Sequence, residues 1–213
     1  MQYIYGHPII NVFNKNIMSQ SNSNKPSRAE AEQAVKTLIS WAGDDYTREG
    51  LLDTPKRVVN AYEEFFAGYH ENPNDILSTT FEDVQGYDDI VLLKNMRLES
   101  HCEHHMVPII GKAHIAYLPR KKVVGISKIA RLLDVYAKRL QTQESMTSQI
   151  VNTIDKVLNP LGIAVIIDAK HQCMTTRGVK KSETSTVTTK FTGVFQDDPQ
   201  YQSRLYSLIS LQL

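Results

Sequence analysis

The run Ser-His-Cys-Glu-His-His at residues 100–105 constrains the fold of this 213-residue chain more than any other feature. It contains Cys102, one of only two cysteines, and the other is Cys173, far along the chain. The spacing of Cys102 and His105 lets a cysteine and a histidine chelate an ion such as zinc from one tight turn. Cys173 is the candidate third ligand, which leaves a fourth position to water. Three protein ligands and a water are typical of a catalytic zinc site, so we expect the fold to bring the two segments together.

Three other interpretations of the two cysteines remain open at this point. A disulfide is disfavoured, because two cysteines do not make a disulfide framework and no export signal is evident. Both cysteines could instead be small buried hydrophobes beside solvated histidines, or a closed structural zinc site could include His104 as well as His105. The dense clustering of His, Cys and Glu favours the open metal site, but spacing alone does not choose between His104 and His105.

Composition indicates a soluble globular protein. The chain is 41% hydrophobic and 22% charged, enough to bury a sizeable core, and its net charge of +1 argues against binding to nucleic acid or other polyanions. No apolar run approaches the ~18 to 20 residues that cross a bilayer, and the first residues lack the pattern of a signal peptide. We therefore expect a cytoplasmic protein whose thiols stay reduced and which does not bind membranes.

The N-terminal part of the chain divides at about residue 26. Residues 1–26 end in a polar, turn-rich stretch and are expected to be a flexible or disordered extension. Residues 27–88 are expected to form an N-terminal helical portion. Its first helix begins at Ser27, in the pattern of a capping box, and its second begins at Thr54-Pro55 and stops near Gly68.

Residues 89–213 show a pattern of strands and helices. Strands are predicted over 90–98, 109–118, 162–169 and 183–195, and helices over 127–140 and 145–158. The order strand, strand, helix, helix, strand, strand predicts an α+β domain with its sheet covered on one face by helices. The cluster at 100–105 is then expected on a turn at one end of the sheet.

Several motifs in order carry a resemblance to a known family. They are Asp53-Thr-Pro-Lys-Arg57, the run from Glu99 to Pro108, Gly125-Ile-Ser-Lys-Ile-Ala-Arg131, Gln141-Thr-Gln-Glu144, the run from His171 to Gly178, and Gly193-Val-Phe. A lone Cys-x-x-His motif is a weak signal, whereas several independent motifs in the right order are specific. The chain resembles the GTP cyclohydrolase I family, zinc enzymes that open the guanine ring of GTP to give 7,8-dihydroneopterin triphosphate and formate at the start of tetrahydrofolate and pterin biosynthesis.

The resemblance implies a metal site and proton-transfer groups. It implies that Cys102, His105 and Cys173 bind one Zn2+ per subunit, and that His104 and His171 move protons around the imidazole ring of the purine. These roles suit hydrolysis at that ring carbon, which needs an activated water and acids that work near neutral pH.

The resemblance also implies the contacts with GTP. Glu144 is expected to accept two hydrogen bonds from guanine and so reject adenine, with support from Gln143. The expected triphosphate ligands are Ser127, Lys128, Arg131, Arg177 and Arg57. A Ser-Lys pair that enters a helix adds backbone N–H donors and the favourable end of the helix dipole.

The family's fold is the tunnelling fold, in which α+β subunits with an antiparallel sheet close side by side into a β-barrel ring. Two pentameric rings then stack as a homodecamer, with active sites at subunit contacts; this expectation rests on the resemblance.

The sequence also leaves two competing functions open. His101-Cys102-Glu103 matches the His-x-Glu half of a nucleobase deaminase signature, although the Pro-Cys-x-x-Cys half is absent from the sequence. A non-enzymatic binding module with a structural zinc is the other.

Overall fold

The structure is a computed structural model that describes residues 25–81 and 87–211. These residues divide into two compact units, the first ending at Val59 and the second beginning at Asn60. The predicted flexible extension over residues 1–26 falls outside the described residues, apart from Lys25 and Pro26. The predicted domain boundary after residue 88 stays a prediction.

The first unit is helical. Helix α1 (Arg28–Trp41) begins at the predicted capping box, where the Ser27 hydroxyl accepts from Glu30 N and the Glu30 carboxylate accepts from Ser27 N at 2.8 Å. These bonds satisfy backbone donors that have no partner inside the helix, and so fix where it starts. A 3-10 turn at Glu49–Leu51 follows, and α2 (Thr54–Phe65) begins as predicted, with its proline in the first turn.

The elements after α2 contain the predicted strands and helices. In chain order they are a 3-10 turn (Ala67–His70), α3 (Pro73–Ile76), β1 (Thr80–Phe81), β2 (Val91–Cys102), β3 (Pro108–Leu118), β4 (Val123–Val124), α4 (Ile126–Ala137), β5 (Leu140–Gln141), α5 (Gln143–Leu158), β6 (Gly162–His171), α6 (Gln172–Thr175), β7 (Thr186–Gly193), α7 (Val194–Asp197) and α8 (Pro199–Ser210). Helix α4 ends at Ala137 rather than at residue 140, because Leu140 belongs to β5. Helices α7 and α8 are additions to the sequence prediction.

Five strands form the main sheet in the order β5-β2-β3-β6-β7, and β1 pairs with β4 in a separate antiparallel pair. From β2 to β7 the neighbours are antiparallel, which confirms the predicted antiparallel sheet. The short β5 instead runs parallel to the end of β2, with Leu140 opposite His101. Since β2 and β6 are both antiparallel to β3, they run in the same direction, and their carboxyl ends lie at the same edge of the sheet.

The hydrophobic core lies mainly between the sheet and two helices. Successive strand residues point to opposite faces, and one face packs on α4 and α5 through fully buried side chains such as Ile115, Ile129 and Ile150. Each such side chain contributes roughly 1.5–3 kcal/mol by its burial. The prediction of an α+β domain with two helices on one face is confirmed. On the opposite face, Phe195 and Leu205 from the last two helices cover one end of the sheet.

A β-bulge interrupts the pairing of β2 with β3 at Asn95. Asn95 has a φ of 57°, and its backbone N–H donates to Nδ1 of His114 on β3 at 3.3 Å. Burial lowers the pKa of His114. Three charged side chains also act on this pKa: Lys112 and Lys94 lower it, and Asp168 raises it.

Within the two described stretches, no helix combines the length and the apolar character needed to span a bilayer.

Candidate metal centre and substrate site

The carboxyl ends of β2 and β6 carry the two halves of the predicted metal cluster. β2 ends at Cys102, and β6 ends at His171, two residues before Cys173. Because β3 lies between them, the two strand axes are separated by roughly 10 Å. The one-turn helix α6, which carries Cys173, leans over β3 and closes this gap. As predicted, residues 103–105 lie on a turn at the end of the sheet, but β2 extends to Cys102, so residues 100–102 belong to the strand rather than to the turn.

A tight turn over residues 103–106 presents His104 and His105. Cys102 N donates to Val107 O at 2.9 Å, and Met106 N donates to Cys102 O at 2.8 Å. Met106 has a φ of 54°, a left-handed conformation that closes the turn. The backbone of Cys102 is therefore fixed by strand pairing before it and by the turn after it.

The side chains of Cys102, His105 and Cys173 each offer one ligand atom, and these three atoms all lie within 4.8 Å of one another. Cys102 is buried, Cys173 is half-buried and His105 is exposed, and both cysteines are free thiols rather than a disulfide. Two sulfurs and one imidazole nitrogen suit a borderline-soft divalent ion. The cluster could therefore hold a metal ion.

The electrostatics of the cluster oppose a bare thiolate. Burial raises the pKa of the Cys173 thiol, and the neighbouring Cys102 sulfur raises it further. Metal ligation needs the deprotonated thiol, and a divalent cation at the cluster supplies the positive charge that favours that form.

The distances to Cys102 do not decide whether His104 or His105 is the candidate metal ligand. Nδ1 of His104 lies 3.7 Å from Cys102 Sγ, and Nδ1 of His105 lies 4.0 Å from it. Only His105 also reaches Cys173 within the described cluster. His104 is exposed and borders the cluster from the solvent side.

His171 and Glu144 lie on neighbouring elements beside the cluster. Nε2 of His171 is 2.8 Å from Oε1 of Gln143, whose side chain is completely buried. Burial lowers the pKa of His171, while the negative charge of Glu144 opposes that effect. Glu144 is exposed in the first turn of α5, directly after the buried Gln143.

The predicted triphosphate ligands are spread over three places. Lys128 and Arg131 of α4 line a cleft of about 270 Å3 together with acidic residues around α3, and no ion pair of either cation occurs among the described residues. Arg177 lies beside the metal cluster, with Nη1 3.1 Å from Nε2 of His105. Ser127 is exposed in the first turn of α4. Arg57 belongs to the first unit, where it pairs with Asp53 at 3.3 Å.

His101 is a buried histidine on the other face of the sheet and does not belong to the metal cluster. Its ring packs against Phe65 and Phe66, with ring centroids 4.6 Å and 5.4 Å away, and burial lowers its pKa. Because side chains alternate along a strand, His101 points to the face opposite Cys102. The sequence predicted this strand only to residue 98. A strand extended to residue 102 would have placed His101 and Cys102 on opposite faces by the same alternation.

Gln141 is a supporting residue that the sequence reasoning did not single out. Its backbone oxygen accepts from Glu103 N at 3.0 Å, and its buried side chain donates to Tyr136 O at 2.9 Å. It thereby ties the turn that carries His104 and His105 to the end of α4. Gln141 begins one of the motifs shared with the family, but neither that motif nor a strand of only two residues indicates this supporting role.

Comparisons with known proteins bear on the family of this chain. A family model described as GTP cyclohydrolase I matches residues 31–210. The protein named GTP cyclohydrolase 1 of Maricaulis maris (strain MCS10) is 63% identical over 185 residues, which are 87% of this chain and 90% of the relative. Its namesake in Hyphomonas neptunium (strain ATCC 15444) is 59% identical over 194 residues, or 91% of this chain and 94% of the relative.

Among solved structures, the archaeosine synthase QueF-Like in the apo form aligns with 49% of this chain and 93% of its own length. At 19% identity and a TM-score of 0.41, this likeness is too low to bear on the fold. The family-model match and the two relatives confirm the resemblance carried by the motifs. The chain belongs to the GTP cyclohydrolase I family.

Proposed function

We propose that this protein catalyses the zinc-dependent hydrolysis and ring rearrangement of GTP to 7,8-dihydroneopterin triphosphate and formate, the first step of tetrahydrofolate and pterin biosynthesis. The observation that carries the proposal is the cluster of Cys102, His105 and Cys173 in a chain of this family. Relatives named GTP cyclohydrolase 1, at 59% and 63% identity over most of the chain, support the substrate and the reaction.

Cys102, His105 and Cys173 would hold one Zn2+ per subunit. Bound there, zinc would supply Lewis-acid activation of water near neutral pH. The burial of Cys102 and the exposure of His105 mean that the protein closes the inner side of the cluster and leaves its outer side to water and substrate.

His104 and His171 are the proposed proton-transfer residues. His104 is exposed beside the Cys102 sulfur, where it can reach a substrate that approaches from solvent. Burial favours the neutral form of His171, so its ring can accept a proton and return it as the purine ring opens.

Glu144, Ser127 and four cationic side chains are the proposed GTP ligands. The exposed Glu144 carboxylate stands next to the His171 side of the cluster, which suits an anchor for the guanine N–H groups. Lys128 and Arg131 have no ion pairs in the described part of the chain and are available to a triphosphate. Arg177 beside His105 would hold the substrate close to the metal centre. Arg57 and Ser127 complete the proposed set.

We propose a homodecamer of two stacked pentameric rings in the tunnelling fold. Among the described strands, β7 is paired on one side only, and most of β2 before its last two residues has no neighbour on its outer side. Unpaired sheet edges invite pairing with another strand, which supports the joining of sheets from adjacent subunits. Light scattering coupled to size-exclusion chromatography tests this, and an active preparation containing only monomer would contradict it.

The reduced thiols support a cytoplasmic location.

The function is tested by GTP turnover of the purified zinc-loaded protein. We expect equal amounts of formate and of the fluorescent pterin that forms when the product is oxidised. Both should disappear after chelation and return with zinc. A correctly assembled, zinc-replete protein that releases no formate would refute the proposal.

Two substitutions test the assigned roles. Cys173→Ser should lose zinc and ring opening together, because an alcohol is a much poorer ligand than a thiolate. His104→Ala should keep its zinc but turn over slowly. Retained zinc in the first variant, or full activity in the second, would refute the corresponding role.

A further inference from the structure

The side chain of Gln143 is completely buried, although it is the first residue of α5 and the neighbouring Glu144 is exposed. A buried amide must find hydrogen-bond partners for both its nitrogen and its oxygen, because each unpaired group costs about 1–3 kcal/mol. Its partners therefore show what the residue does.

The amide nitrogen of Gln143 faces the sheet. Nε2 lies 3.0 Å from Ile167 O, 2.8 Å from Thr186 O and 3.2 Å from the Thr188 hydroxyl. Backbone carbonyl oxygens can only accept, so the NH2 group must point toward β6 and β7. The chemistry of these partners, and not only the shape of the side chain, fixes the orientation of the amide.

The amide oxygen then faces His171. Oε1 lies 2.8 Å from His171 Nε2 and can only accept, so the ring must carry a hydrogen on Nε2. In the neutral imidazole the other nitrogen, Nδ1, is left with a free lone pair. Nδ1 has no hydrogen-bond partner within the described parts of the chain.

We propose that Gln143 is a positioning residue for His171: it holds the imidazole in the tautomer that keeps hydrogen on Nε2 and offers Nδ1 to the substrate. This inference rests on the proposed function. It also reassigns Gln143, whose polar atoms are used inside the protein, from guanine recognition to orientation of a proton-transfer group. The four contacts of the Gln143 amide run from β7 to the end of β6, and the one to Ile167 O is fully buried while the other three are partly buried.

Three single variants test the role by steady-state kinetics of the zinc-loaded enzyme with GTP. Gln143→Met keeps the length of the side chain but removes the acceptor, and its kcat should fall, with KM unchanged, by roughly 10- to 100-fold, the range typical of residues that orient metal-binding imidazoles. Gln143→Glu keeps an acceptor, and the introduced carboxyl, protonated when buried, can still donate to the sheet. It should retain most of the wild-type kcat. The matched control Thr188→Val removes one partner of the same network but leaves the bond to His171, and its kcat should stay at the wild-type value.

A double-mutant cycle with His171→Ala separates orientation from general structural support. If Gln143 acts only through His171, then Gln143→Met should cost no further turnover once the histidine is gone. Equal additional losses in both backgrounds would overturn the inference. Gln143→Glu supplies a second route if the methionine variant does not assemble: a folded, zinc-replete glutamate variant as slow as His171→Ala would also overturn it.

The kinetic pattern distinguishes this inference from the proposed function. Wild-type protein that does not act on GTP refutes the function itself. An active wild type whose Gln143→Met variant has a raised KM and unchanged kcat would refute only the positioning role and would return Gln143 to guanine recognition.

Discussion

Gly111 lies on β3, between the two strands that carry the metal cluster, and its replacement by alanine gives a quantitative test of how the site is built. A Cβ at this position would lie 2.1 Å from Asp168 O and 2.5 Å from Ala169 Cα, both backbone atoms of β6. Real Cβ atoms essentially never approach another heavy atom to less than 3.0 Å. Relief of the closer contact therefore requires β3 and β6 to separate locally by about 1 Å, since neither backbone atom can rotate away.

This displacement is large for a metal site. Gly111 is paired with Ala169, and two residues along the ladder Ile109 is paired with His171 at the edge of the cluster. Metal–ligand distances tolerate errors of only about 0.2 Å, so a shift several times larger should carry Cys173 out of range. Overpacking of this kind also costs roughly 1–3 kcal/mol of folding free energy. We expect Gly111→Ala to lose zinc and to unfold at a lower temperature.

Zinc content after equilibration at fixed free zinc, followed by thermal unfolding with and without chelator, measures both effects. Gly50→Ala is the matched control, because the nearest atom to its new Cβ is the end of the flexible Arg48 side chain, 2.9 Å away, which can swing aside. The control should keep its zinc. A Gly111→Ala protein with one zinc per subunit and a wild-type unfolding temperature would refute the argument that β3 sets the spacing of the cluster.

Three further predictions concern pH, the core and substrate binding. Because the pKa of His114 is lowered in the folded state, the unfolded chain binds more protons below about pH 6.5, and stability is lost as the pH falls through that window. In chelated protein, His114→Gln, which can still accept from the Asn95 N–H, should show a shallower fall of melting temperature from about pH 7 to pH 5 than wild type; equal slopes would contradict this. Tyr136→Phe should cost about 1–2 kcal/mol in denaturant unfolding, because it leaves the buried Thr153 hydroxyl without its 2.6 Å partner, and adding Thr153→Val should recover part of that loss. Glu144→Gln should weaken GTP binding measured by calorimetry, because an amide cannot accept from both guanine donors; unchanged affinity would contradict the anchor.

The sequence predicted the parts of the fold whose signals are local. Helix α1 starts at a capping box, and the strands that become β2, β3 and β6 are long runs with strand composition. Helix α8, which is not among the predicted elements, also begins with a local helix-start signal, because Asp198 caps it and Pro199 occupies its first turn.

Other features depend on contacts that sequence spacing does not encode. Leu140 continues the apolar period of α4, yet it leaves the helix because it pairs with the end of β2. His104 and His105 lie at nearly equal distances from Cys102, and only the approach of Cys173 from another strand separates them. The burial of Gln143 could not be predicted from sequence for the same reason. The first turn of a helix is ordinarily solvated, and the groups that bury the Gln143 amide come from β6 and β7.

The cluster is built asymmetrically, and this asymmetry matches what a hydrolytic site requires. On the inner side, Cys102 is fixed by strand pairing and a closed turn, and His171 is fixed by the buried Gln143 amide. On the outer side, His104, His105 and Arg177 are exposed, and their contacts at the cluster are made by side chains: Arg177 with His105, and His104 with the Cys102 sulfur. The sheet therefore sets the positions that tolerate least error before any ligand binds. The outer side chains remain able to adjust to the metal and to a bulky, highly charged substrate. The free-energy cost of ordering them is therefore offset by substrate binding rather than by folding.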